Sequence, residues 1–150
     1  MRFEQFAEGT SLRAGPRPVT AEEIVDFARR YDPQPFHVDP QLAAASRWGG
    51  LIASGWMTCG IAMELAVRQI LDGSESIGSP GLDELRWENP VRPGDRLVLT
   101  LTVLESRVSA SGRTGIVRWR WELHNQNNER VLNLVATSLF DVSGSATAAG

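Results

Sequence analysis

The sequence predicts an α+β domain in which one long helix is wrapped by an antiparallel sheet. Three observations carry this. The stretch from Ser54 to Asp72 is apolar nearly all round and stops at Gly73, the pattern of a helix buried on most sides. Beyond residue 96, three runs alternate apolar and polar residues, which is the period of half-buried strands. The turns SASGR and NQNNE join those runs, so the strands form an antiparallel meander. A single buried helix against such a sheet makes a two-layer domain.

The elements follow in order. Residues 3–12 read as a short opening strand or extended arm, and RAGPRPVT as a proline-rich connection. Thr20 opens the first clear helix. Thr20 and Glu23 have capping-box spacing, with the hydroxyl taking the third amide and the Glu side chain reaching back. Ile24, Phe27, Ala28 and Tyr31 recur at helical spacing and form its apolar face. Pro33 ends the helix by disfavouring helical geometry at Asp32. Asp39 and Pro40 read as an N-cap and first helical residue of a short helix through Ala45. RWGGLIASG is a glycine-marked turn into the long helix, which at 1.5 Å per residue runs roughly 28 Å. A strand from Leu82 to Trp87 follows, then the turn NPVRPGD. Leu97–Val103, Val117–Leu123 and Leu132–Phe140 complete the meander.

The chain has 150 residues, enough for one ordinary core. Neither a repeat nor a linker divides it, so residues 1–150 read as one domain, with about 144–150 as a flexible tail. The net charge of −3 argues mildly against nucleic-acid binding. The lone Cys59 allows no internal disulfide and fits a reducing compartment. The first residues lack an apolar leader. Leu51–Met63, the least charged stretch, is too short to cross a bilayer. The expectation is a cytoplasmic protein that binds neither membrane nor nucleic acid.

One segment carries chemistry. YDPQPFHVDP, residues 31–40, crowds Asp32 and His37 between prolines on a backbone expected to be non-helical. A histidine titrates near neutral pH, and a carboxylate can share a water with it. The spacing alone equally allows Asp32 to cap a turn and His37 to pack at a helix boundary.

Taken together, YDPQPFHVDPQLAAAS and GGLIASGWMT resemble the MaoC-like hydratases, or R-specific enoyl-CoA hydratases, of the hot-dog fold. The family signature is Asp-x-Asn-Pro-(aliphatic)-His, and the chain reads Asp32-Pro33-Gln34-Pro35-Phe36-His37. GLDELRWENPVRPGDRL resembles the family's second strand and following turn, so the likeness runs from about Thr20 to Phe140. Gln34 replaces the signature Asn, and Phe36 the aliphatic residue. Neither change removes a proton-transfer group; both bear on the substrate.

The resemblance implies that Asp32 and His37 activate one water for attack on C3 of a trans-2-enoyl thioester. It places the thioester beside the N-terminus of the long helix, whose free N–H groups would meet the developing oxyanion. Gly55 is the candidate donor, since a residue without a side chain lets the carbonyl approach. Ser54 is either the helix cap or a pocket hydroxyl. Trp48 and Trp56 flank the glycine turn and either line an acyl pocket or pack in the core. The resemblance also implies at least a homodimer, and no cofactor beyond the CoA or acyl-carrier thioester. His37 and Asp39 are too few for a metal site. Cys59 reads as core and His124 as exposed. Strict alternation in Arg118-Trp119-Arg120-Trp121 puts the arginines on the outer face, solvated or meeting carrier phosphates. An acyl-CoA thioesterase and a non-catalytic acyl-thioester-binding subunit are the competing readings.

Overall fold

A computed structural model of the chain describes residues 1–146. A 3-10 turn at Phe3–Gln5 leads into β1 (Ser11–Pro18), then α1 (Ala21–Tyr31), α2 (Pro35–Val38), α3 (Pro40–Ala45) and the central helix α4 (Gly55–Ala66). α4 continues into a π-helical turn, Val67–Leu71. β2 (Ser76–Arg86), β3 (Arg96–Val108), β4 (Thr114–His124), β5 (Arg130–Asp141) and the short α5 (Ser143–Ala146) complete the chain. The five strands form one antiparallel sheet in the order β1-β3-β4-β5-β2. This is the hot-dog arrangement, a sheet wrapped around one helix.

The meander is where alternation put it. Leu97, Leu99, Leu101 and Val103 of β3 face inward with Val117, Trp119, Trp121 and Leu123 of β4. Trp119 is fully buried, and its indole N–H donates to Ser138 Oγ at 3.0 Å, so its one polar atom is satisfied. Met57, Ile61, Leu65 and Ala66 bring one side of α4 onto this face. Arg118 and Arg120 point outward as expected. They pair with Asp83 at 2.9 Å and Glu84 at 3.4 Å on β2, which disfavours the reading that they wait for carrier phosphates.

Several local expectations change. The opening strand is not at residues 3–12, and RAGPRPVT is no mere connection: most of it lies in β1. As the outer strand beside β3, β1 tolerates prolines that would break a central strand. Thr20 Oγ1 does accept the Glu23 N–H at 3.2 Å, but the Glu23 carboxylate pairs with Arg17 rather than reaching back. Tyr31 leaves the apolar face of α1 and is 66% exposed, while Ile24 and Ala28 are fully buried. α4 is not covered on most sides. Trp56, Met63 and Val67 form an exposed apolar stripe along it, 60%, 50% and 43% exposed. Residues 144–146 of the expected flexible tail lie in α5, and 147–150 lie outside the described residues. Among the described residues no helix is long and apolar enough to cross a membrane.

Candidate active site

Asp32 is delivered by the end of α1, where its N–H still bonds to the Ala28 carbonyl at 2.8 Å. Pro33 stops the helix. The next turn corrects the expectation of a non-helical backbone: Pro35–Val38 is itself one helical turn, with Pro35 at its first position. That turn swings His37 inward until it is 5% exposed. Asp39 then caps α3, accepting from the Gln41 and Leu42 N–H groups at 2.9 and 3.1 Å.

The result is a facing pair. His37 Nε2 stands 3.3 Å from Asp32 Oδ2. On the other side of the ring, Nδ1 bonds to the Ile52 carbonyl at 2.6 Å. A carbonyl only accepts, so Nδ1 carries a proton, and Nε2 is the ring nitrogen that faces Asp32. The Ile52 segment is itself held. Its N–H donates to the Phe36 carbonyl at 3.2 Å, and Ala53 N–H donates to Val91 at 2.8 Å.

Gln34 has a defined task. Its amide N–H donates to Asp32 Oδ1 at 2.8 Å. Burial works against charge on Asp32, but the Gln34 amide, the Ser54 hydroxyl and the His37 ring outweigh it and hold the carboxyl below its ordinary value.

Ser54 occupies the N-cap position of α4 without a side-chain capping bond. Its hydroxyl is fully buried and close enough to Asp32 to favour the carboxylate, yet no partner lies at hydrogen-bond distance. Ser54 therefore holds the cap position without making the cap bond, and it is not among the residues that line the neighbouring cavity. The first intrahelical bond of α4 runs from Thr58 N–H to the Ser54 carbonyl. The N–H groups of Gly55, Trp56 and Met57 consequently have no acceptor within the helix.

Asp32, Gln34, Phe36, His37, Gly55 and Trp56 share one cavity of about 380 Å³. Its walls are aromatic. The Phe36 ring meets the His37 ring edge-on at 4.5 Å, and Trp56 meets Trp87 at 5.2 Å. Trp48 lines the cavity too, which settles pocket against core for both flanking tryptophans. Sequence reasoning missed Trp87, Glu88, Asn89 and Val91, which also line it. They come from the WENPV stretch of GLDELRWENPVRPGDRL, whose likeness to the family was visible, but only tertiary folding brings it to α4. Cys59 is half-buried, and burial pushes its thiol up, away from nucleophile chemistry. His124 is half-buried rather than exposed. Among the described residues no three His, Cys, Asp or Glu side chains converge as a metal site.

The family model described as the MaoC like domain matches residues 3–121. The chain belongs to the MaoC-like domain family. It is 38% identical to the MaoC-like dehydratase from Rhodospirillum rubrum, whose crystal structure superposes with a TM-score of 0.85 over 94% of this chain and 97% of that one. It is 28% identical over 131 residues to the uncharacterized protein YdeM of Bacillus subtilis (strain 168), covering 87% of this chain and 92% of that protein. The R-hydratase PhaJ1 from Pseudomonas aeruginosa shares the fold, with a TM-score of 0.76 at 24% identity over 93% of this chain and 84% of that one. Structural neighbours of this chain thus include a MaoC-like dehydratase and, for the fold alone, an R-hydratase.

Proposed function

We propose that this protein is a hydro-lyase that interconverts trans-2-enoyl and (R)-3-hydroxyacyl thioesters of CoA or an acyl carrier. The observation that carries the reading is the pair of a buried His37 and a half-buried Asp32, set 3.3 Å apart beside the N-terminus of α4, with the far ring nitrogen anchored on Ile52.

In the hydration direction, Asp32 and His37 hold one water. Its oxygen bonds to C3 of the enoyl group as its proton passes to the pair, and the pair returns a proton to C2. In dehydration the same groups act in reverse. Negative charge builds on the thioester oxygen as C2 becomes enolate-like, and the Gly55 N–H at the first turn of α4 is the donor placed to meet it. Gln34 keeps Asp32 ionised. Phe36 and Trp56 bound the acyl group. The step adds water without redox change, so it calls on no cofactor beyond the carrier.

The functional unit is the single domain of residues 1–150, working as a homodimer or higher homo-oligomer. β2 is an outer strand with exposed apolar residues, Ile77 at 61% and Leu82 at 50%, and the open stripe on α4 is apolar as well. An uncovered edge strand favours pairing with a second copy. A cytoplasmic setting suits the single unpaired Cys59.

The test is loss of the conjugated enoyl-thioester absorbance on a panel of trans-2-enoyl-CoAs, with free CoA thiol measured in parallel. Hydration without thiol release is expected. Thiol release without hydration would replace this reading with a thioesterase.

A further inference from the structure

Trp87 lies between two fixed points. Before it, Arg86 pairs in register with Asn133, where β2 leaves β5. After it, the Glu88 carboxylate meets the Arg130 guanidinium at the start of β5. Two bonds join them, Nε to Oε2 and Nη2 to Oε1, both at 2.8 Å. Arg130 Nη1 donates to Glu122 on β4 at 2.9 Å, so a second strand braces the guanidinium. The Asn89 side-chain amide donates to the Arg130 carbonyl at 2.8 Å.

Exposed ion pairs usually contribute little to stability; the exceptions are bidentate or part of a network. This one is both. A planar guanidinium matched to a carboxylate along two bonds fixes direction as well as distance. The fork braces no buried core, since the Arg130 and Glu88 side chains are 35% and 30% exposed. What it holds is the segment beside it. Trp87, Glu88, Asn89, Pro90 and Val91 all line the Asp32–His37 cavity, and Arg130 is not among the lining residues. The Trp87 ring crosses the first residue of α4 and leaves no room for a Cβ at Gly55.

We infer that Arg130 is a positioning residue for the active site: its grip on Glu88 sets the Trp87 ring over Gly55, and so fixes the wall that a bound thioester meets at the N-terminus of α4. The catalytic consequence rests on the hydratase reading above; the placement of Trp87 does not.

A coupling experiment tests both parts. Arg130→Met removes the fork, and Arg130→Lys keeps the charge without it. Each is made alone and together with Gly55→Ala, and melting temperature is measured, with kcat and KM on one enoyl-CoA. In the wild type, Gly55→Ala should lower the melting temperature, because the methyl meets a ring held in place. In either Arg130 background the ring gives way, and most of that loss should disappear. The partners of Arg130 are Glu88, Glu122 and Asn89, none of them on α4. A purely stabilising role would therefore leave the two losses additive. Both Arg130 variants should also lower kcat roughly tenfold or more, with a smaller change in KM, because a displaced wall misaligns the reacting atoms.

Should Arg130→Met fail to fold, Glu88→Gln replaces it in the melting comparison. Additive melting losses, an Arg130→Lys variant that matches the wild type, or Arg130 variants with normal kcat overturn the inference. Coupled melting losses in a protein that hydrates no enoyl-CoA uphold the placement of Trp87 and sink the hydratase reading alone.

Discussion

The Trp87 indole lies directly across Gly55, where a β-carbon would sit 2.7 Å from Cδ2 and 2.8 Å from Nε1. Gly55 is therefore a glycine for a local reason: the ring of a loop residue covers the start of α4. This changes what Gly55→Ala should do. The methyl displaces Trp87 and should lower the melting temperature as well as turnover. In a Trp87→Ala background the obstruction is gone, so Gly55→Ala should cost no stability, since Ala favours a helix over Gly. Equal melting losses in both backgrounds would place the obstruction elsewhere.

Ser54→Ala should separate cap from pocket. A lost cap costs about 1 kcal/mol. The buried, unpartnered hydroxyl contributes no such bond, so its removal should leave the melting temperature unchanged or raise it, while turnover drops. Thermal melting and kinetics on one preparation check this; a melting loss with normal turnover restores the cap.

Gln34→Leu removes the N–H that favours the Asp32 carboxylate. With less support for the charged form, the Asp32 pKa rises. Because the base must be ionised, the acid limb of kcat/KM should move to higher pH. The pH profiles of wild type and variant on one enoyl-CoA decide it, and an unmoved acid limb removes Gln34 from this task.

Assembly has its own test. Leu82 is half exposed on the outer strand β2, and a lysine on such an edge opposes pairing with a second copy. Light scattering at micromolar concentration should give at least a dimer for the wild type and a smaller species for Leu82→Lys. A monomeric wild type contradicts the assembly.

Local signals carried much of the fold. Thr20, Asp39 and Pro40 announce helix starts by their own chemistry, and the tryptophans of β4 declare their face by alternation. β1 was misread because its strand character comes from pairing with β3, some eighty residues on, and its prolines mask it. The open stripe on α4 was misread for a related reason: an apolar residue states what it prefers, not whether anything covers it. At the site, Asp32, Gln34 and His37 were legible because six consecutive residues hold them. Trp87 was not, because only the folded chain brings β2's end to the start of α4.

The central claim is that Asp32 and His37 act together on one water. It is tested most directly by kcat on a single enoyl-CoA for Asp32→Asn, His37→Ala and the double variant, all confirmed folded. Each single substitution should lower kcat at least about a hundredfold. The double should be little worse than the worse single, because groups serving one step are not additive. Single variants that keep wild-type turnover, or losses that multiply in the double, would contradict it.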